Sequence, residues 1–441
     1  MLAASGAWGG STVAAADLTV AANTGYGDSG EVGNLDFRPA ISGNGRFVAW
    51  MSLTPFNGTP LYLRDLRQGF TTVITPPSED STEAGYASET PVLSASGRYL
   101  AFASDNAALS SEDRDRVKIA TGSDIVHDIF VYDRRTKAMR LVSRRSGSHG
   151  TPGEDGSSRP SISDDGAIVA YATESWNLAP PKPPRPGGVY ERDLRNETNR
   201  VVSAVPGIQF WHPASFFPDV SGDGHRVAFG FQYSPDPYDP KHPPKNIGRW
   251  LHHRHKQIML WDPDWKKPRL VSRATGRSGR IPNENCTEPS ASGTGRFVAF
   301  TCKASNLVPG DGNGFKDVFV RDTKLNLTTL VSSPGTSAIA DEDSLRPSIS
   351  ANGRYVVFQS LAANLLPGDK DKKIDVFLKD LRTGALRQLS RGLAGEPSNG
   401  SSANPVITPN ARFAVFASTS SNLSLEDPKH DMSIYRVQLQ P

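Results

Sequence analysis

One unit of thirteen residues occurs seven times in this chain, and it constrains the fold more than any other feature. It reads RPAISGNGRFVAW from Arg38, TPVLSASGRYLAF from Thr90, RPSISDDGAIVAY from Arg159 and FPDVSGDGHRVAF from Phe217. It continues as EPSASGTGRFVAF from Glu288, RPSISANGRYVVF from Arg346 and NPVITPNARFAVF from Asn404. The prolines at 39, 91, 160, 218, 289, 347 and 405 are spaced by 52, 69, 58, 71, 58 and 58 residues. A fixed unit at uneven intervals marks one supersecondary module repeated between loops of varying length.

Each copy runs from an alternating apolar stretch through a polar-Gly turn into a second strand ending on an aromatic residue. Period-two alternation, β-branched enrichment and the Gly, Asp and Asn turns all argue for strands. A second half follows in six copies: LYLRDL at 61–66, DIFVYDR at 128–134, GVYERDL at 188–194, QIMLWDP at 257–263, DVFVRDT at 317–323 and DVFLKDL at 375–381. Behind these come FTTVIT, MRLVSR, NRVVSA, PRLVSR, TTLVSS and LRQLSR as fourth strands. Four antiparallel strands per unit make one propeller blade. The seventh unit reaches only SIYRVQLQP, three strands, while LTVAANT after Asp17 has the character of a fourth. The expected fold is therefore all-β: a seven-bladed β-propeller of four-stranded antiparallel blades, closed by the N-terminal strand completing the last blade.

That propeller is expected to occupy residues 17–441, with residues 1–16 as a leader or signal remnant. MLAASGAWGGSTVAAA is small and uncharged, and Ala14, Ala15 and Ala16 offer a small-x-small cleavage pattern. A basic start and a longer apolar core are missing, so a loose terminus fits the same residues. With 49 basic and 46 acidic residues the formal charge is only +3, too balanced for a nucleic-acid partner held through phosphates. No apolar run approaches the roughly 20 residues of a membrane span.

The pattern S-x-x-G-R-x-[VL]-A-F and the later NLVPGD…DVFVRD stretch resemble the PD40 repeats, a WD40-like class, of TolB-like bacterial propellers. The resemblance covers about residues 17–441. It implies the propeller fold and a periplasmic or extracellular, cell-surface setting. Propellers of this kind serve as protein-binding scaffolds, sugar-processing enzymes and cell-envelope components, so the resemblance implies no single function.

The strand order sorts the loops onto two faces. Turns between first and second strands, such as Ser42-Gly43-Asn44-Gly45, are short, as are those between third and fourth. Connections between second and third strands and between blades lie on the other face and are long, for example 105–127, 177–187 and 234–256. Long loops on a rigid scaffold are where binding resides. The residues before the seven prolines ring the channel mouth on that face. Among them Arg38, Arg159 and Arg346 could grip a carboxylate or acidic sugar, or could pair with Glu288 and loop acids as structural ions. Trp176, Trp211 and Trp250 are candidates for stacking on sugars, with packing between blades as the other reading.

Cys286 and Cys302 are symmetric about Thr294, so the fifth hairpin places them opposite each other and predicts a disulfide in an oxidising compartment. Two stretches read D-x-[DN]-x-x-x-D: Asp311, Asn313 and Asp317, then Asp369, Asp371 and Asp375. Their oxygens could converge on calcium with waters completing the shell, or serve turn chemistry alone. His253 and His255 would share one face of a strand and could bind a transition metal, but Arg249, Arg254 and Lys256 beside them favour a solvated basic loop.

No G-x-S-x-G, HExxH, Walker A or strand-linked G-x-G-x-x-G motif is present, so no catalytic residue is assigned and no cofactor is required. The leading expectation is an extracytoplasmic binding or scaffold propeller that engages a protein or glycan through its long-loop face. A polysaccharide lyase or hydrolase at the channel mouth, and a structural subunit of a self-assembling cell-surface array, are the alternatives.

Overall fold

The computed structural model describes residues 18–23, 38–51, 59–75, 89–106, 109–110, 127–175, 177–179, 187–204, 215–232, 255–335, 339–368, 372–424 and 432–439. Within these, 28 strands form seven four-stranded antiparallel sheets arranged as a seven-bladed propeller. Blade 1 consists of Ala40–Ile41, Phe47–Met51, Leu61–Asp65 and Phe70–Thr75. The last blade combines Ser402–Ile407, Phe413–Ser418 and Ser433–Gln438 with Leu18–Asn23, which pairs with the third strand in the register Leu18↔Val437 to Asn23↔Ser433. No described helix is long and apolar enough to cross a membrane.

Second and third strands are buried on both faces because each blade is sandwiched between two others. The apolar core accordingly divides into seven clusters, one for each contact between neighbouring blades. The aromatic that ends each repeat explains itself here. Phe102 faces Phe130 across the ladder, as Phe300 faces Phe319 and Phe358 faces Phe377, with ring centroids 5.9, 5.8 and 5.7 Å apart. Such pairs add about 0.5–1.5 kcal/mol beyond the area they bury.

The polar-Gly turn carries two further functions. Where the turn carries glycine its φ is positive, and in blades 1, 2, 3 and 6 that glycine lies against the first aromatic of the preceding blade; in blades 4 and 5 it meets Ile168 and Arg226, and in blade 7 Ala411 takes its place with φ 55°. A Cβ on Gly97 (φ +67°) would stand 2.5 Å from the Phe47 ring, and one on Gly45 (φ +71°) 2.3 Å from Phe413. The turn also hydrogen-bonds to the next blade. Gly43 N–H donates to Ala95, Ala95 to Asp164, Asp164 to Gly222, Asp223 to Gly293, Gly293 to Ala351 and Ala351 to the Pro409 carbonyl. Pro409 has no N–H for the seventh link. The Asn410 side-chain amide donates to the Gly43 carbonyl instead, and the circle closes.

The fourth strands are shorter than the sequence suggests: Ala138–Leu141, Leu327–Leu330 and Leu386–Gln388 stop before the Ser of MRLVSR, TTLVSS and LRQLSR. The cause is that this serine ends the ladder with its hydroxyl. Ser143 Oγ accepts from Ile129 N–H and donates to Asp128, while Ser332 and Ser390 do the same for Val318 with Asp317 and for Val376 with Asp375.

On the long-loop face the asparagine of the N-L motif clamps its loop to the preceding interblade loop. Asn306 Nδ2 donates to the Ile281 carbonyl while its Oδ1 accepts from Asn283 N–H. Asn177, Asn364 and Asn422 repeat the pair of bonds in blades 3, 6 and 7. These loops are therefore tied to the scaffold at a fixed point.

Candidate functional site

The residue before the repeat proline sits in a β-bulge of the innermost strand, where two residues oppose one on the second strand. In five blades that residue is left-handed and is not glycine: Arg159 (φ 53°), Phe217 (52°), Glu288 (54°), Arg346 (54°) and Asn404 (59°). Each such residue costs on the order of 1–3 kcal/mol and persists only where the surroundings hold it. The bulge interrupts the alternation of the strand and brings these side chains together around one end of the central channel.

The channel is a cavity of about 300 Å³, lined by Arg38, Arg159, Phe217, Glu288 and Arg346 together with the Pro39–Ile41 level and its counterparts in the other blades. Arg38 Nη2 donates to the carbonyls of Pro347 and Pro405, both at 3.2 Å, so its guanidinium reaches from blade 1 to blades 6 and 7. Its Nε is buried without a partner among the described residues. The Arg159 guanidinium lies 3.8 Å from the centroid of the Phe217 ring. Glu288 Oε2 accepts from the Thr301 hydroxyl at 2.8 Å and the Arg346 backbone N–H at 3.0 Å.

One level deeper lies a residue the repeat did not single out. Asp219 follows the proline of blade 4, where the neighbouring blades carry Ser161 and Ser290. Its carboxylate accepts from Ser161 Oγ at 2.9 Å and from Ala291 N–H at 2.6 Å, linking blades 3, 4 and 5. Burial pushes its pKa up to about 6, opposed by those hydrogen bonds and by the charge of Arg38. Asp164, at the short-turn end of the cavity, is also raised by burial, then by Asp165 and Asp223.

The remaining sequence candidates are dispersed. Trp176, Trp211, Trp250, His253, Asp369 and Asp371 lie outside the described residues. His255 places Nδ1 3.7 Å from Glu284 Oε2. Asp375 is buried, its Oδ1 accepting from the Ser390 and Ser398 hydroxyls. Asp317 is fully buried and accepts from Ser332 Oγ and Asn313 Nδ2, and Asp311 beside it is 8% exposed with its pKa pushed up to about 6 by burial and by Asp317. Cys286 and Cys302 face each other in the ladder and form a disulfide.

Among the described residues, one group of three His, Asp or Glu side chains is close enough to hold a metal: His225, Asp262 and Asp264, on the short-turn face. The repeat explains it differently. His225 occupies the place of Arg46, Arg98, Arg296 and Arg354, which bracket Asp65, Asp133, Asp322 and Asp380 in their blades. In blade 4 the next residue, Arg226, takes over, its Nε 2.7 Å from Asp262 Oδ2, while His225 lies 3.5 Å from Oδ1. A guanidinium already holds the buried carboxylate.

No protein-family model matches this sequence, and neither does any curated protein. Among solved structures the chain is similar to oligogalacturonate lyase from Vibrio parahaemolyticus, with a TM-score of 0.52 and 11% identity over 96% of this chain and 93% of that one. It is similar to the β-propeller domain of the trilobed protease from Pyrococcus furiosus, with a TM-score of 0.50 and 11% identity over 92% and 97%. A prolyl endopeptidase gives 0.52 and 14%, over 92% of this chain and 50% of that one. At such identities the likeness is one of fold, which agrees with the TolB-like propeller resemblance read from the repeats.

Proposed function

We propose that this chain is an extracytoplasmic binding propeller that takes a carboxylate-bearing ligand, on a glycan or a protein, at the mouth of its channel on the long-loop face. The observation that carries this is the cavity bordered by Arg38, Arg159 and Arg346, three guanidinium groups from three different blades held around one opening. Guanidinium groups suit carboxylates because their forked donors match both oxygens. The acids of the described lining support binding rather than chemistry. Glu288 and Asp219 are each held by two hydrogen bonds from the scaffold, and no histidine, cysteine or tyrosine lines the described part of the cavity. The Cys286–Cys302 disulfide suits an oxidising compartment outside the cytoplasm.

Calorimetric titration of the full chain with acidic oligosaccharides, oligogalacturonates among them, and with neutral oligosaccharides of equal length tests the reading. Saturable binding of the acidic series alone is expected, and it weakens as salt is added. Equal response to both series, or to neither the acidic glycans nor acidic peptides, removes the proposal.

A further inference from the structure

The innermost strand of every blade turns one edge to the channel. In blade 1, Ser42 N–H donates to the Phe47 carbonyl and Ala40 lies opposite Ala49. Ile41 between them, opposite Val48, therefore directs its N–H away from the ladder and towards the channel. The same register places Leu93, Ile162, Val220, Ala291, Ile349 and Ile407 alike in blades 2 to 7. In blades 4 to 7 this donor is met by the side chain after the proline of the preceding blade. Ser161 Oγ accepts from Val220, Asp219 from Ala291, Ser290 Oγ from Ile349 and Ser348 Oγ from Ile407. In blades 7, 1 and 2 that position holds Val406, Ala40 and Val92, whose side chains have nothing to accept with. The N–H groups of Ile41, Leu93 and Ile162 accordingly have no acceptor among the described residues. All three line the cavity from adjacent blades, and the buried Arg38 Nε is a fourth donor without a partner there. Interior backbone N–H groups are rarely left unpaired, and a group of donors with no acceptor between them suits an anion.

We propose that these main-chain donors receive the C-terminal carboxylate of a partner protein, whose last residues enter the channel past the arginines. The inference rests on the carboxylate reading of the mouth and selects its source. Three residues separate Arg38 from Ile41 and Arg159 from Ile162, so the donors lie roughly 10 Å below the rim. A carboxylate reaches that depth at the end of a slender stem, and the last few residues of an extended chain supply one of matching length. Along an acidic glycan each carboxylate sits on the flank of a sugar ring, which suits the rim instead. Val406, Ala40 and Val92 offer the entering segment an apolar wall. Asp219 across the channel is already held by Ser161 and Ala291.

Calorimetry on the full chain compares N-acetylated penta-alanine bearing a free C-terminus with the same peptide amidated at that end, and with an oligogalacturonate. Saturable binding of the free acid is expected, weakened about tenfold or more in the amide. Ala40→Ser carries into blade 1 the side chain that meets the same donor from blades 3, 5 and 6. The variant should fold as the wild type does by circular dichroism, pair the Leu93 N–H internally and weaken the free acid by about tenfold. Val92→Ser does the same for Ile162 and serves if Ala40→Ser does not fold. Undiminished affinity in a folded serine variant overturns the proposal, and a loss in Arg346→Ala alongside it would leave the mouth reading standing. Equal binding of acid and amide, or binding of the oligogalacturonate without the peptide, overturns it as well. Binding of neither acid removes both readings.

Discussion

The amide of Asn410 donates to the carbonyl of Gly43 at 2.9 Å, joining residues 367 positions apart at the seam between the last and first blades. It stands in for the one backbone donor that a proline removed from an otherwise main-chain circle. Asn410→Ala removes this bond together with those that its Oδ1 accepts from Thr408 Oγ1 and Arg412 N–H, and is expected to destabilise the chain by roughly 1–3 kcal/mol. Adding Pro409→Ala restores an N–H at the right place and should recover the part of that loss due to the seam bond. Urea midpoints of the three proteins decide it, and an unaltered midpoint in Asn410→Ala would show the seam to be held by other contacts.

Glu191 predicts a pH effect. It is buried between blades 3 and 4, its Oε2 has no hydrogen-bond partner among the described residues, and Arg200 Nη1 stands 3.7 Å from Oε1. Burial raises its pKa to about 7, with Arg200 and His225 opposing and Asp193 adding to the shift. A carboxyl with a raised folded-state pKa binds its proton more tightly in the native state than in the unfolded one. Its contribution is thus fully present below about pH 4.5 and is lost as pH rises towards 7. Glu191→Gln should flatten stability between those values and raise it at pH 8 by on the order of 2 kcal/mol. Parallel pH profiles of variant and wild type would contradict the assignment.

The Cys286–Cys302 bond closes a loop of 16 residues. Replacing both cysteines with alanine should cost about 3 kcal/mol on the chain-entropy account, read as a lower denaturant midpoint. Reductant should shift the wild-type midpoint in the same direction and leave the double variant unmoved.

Gly97→Ala meets two penalties at once. A Cβ there adopts a left-handed backbone and enters the Phe47 ring at 2.5 Å. A loss of about 2 kcal/mol or more is expected, whereas the same change at Gly69, where φ is also positive but nothing stands within 4 Å, should show the backbone part alone. Equal losses at both sites would mean that the aromatic contact contributes nothing.

At the channel mouth, Arg346→Ala and Arg159→Ala should each weaken an acidic ligand by about tenfold without lowering the melting temperature by more than a few degrees. Calorimetry on the two variants measures both quantities, and undiminished affinity in each would place the ligand elsewhere.

The blades could be counted in the sequence because every copy carries its own proline and terminal aromatic, and all but the seventh, which has Ala411, carry the turn glycine. The disulfide was legible for the same reason, since the hairpin about Thr294 fixes its register. Asp219 and Glu191 were not legible. Their surroundings come in part from the neighbouring blades, so a reading confined to one repeat sees only an ordinary acid. His225 shows the converse: beside Asp262 and Asp264 it resembles a metal ligand, and only superposition on Arg46 and its counterparts reveals an arginine bracket shifted by one residue.

Arginine, phenylalanine, glutamate, arginine and asparagine all tolerate the same left-handed bulge before the repeat proline. The conformation is thus a property of the frame and is indifferent to the side chain it presents. Chemistry at those positions can be rewritten one blade at a time, much as type is changed in a fixed forme, and a new recognition specificity would then require no new fold.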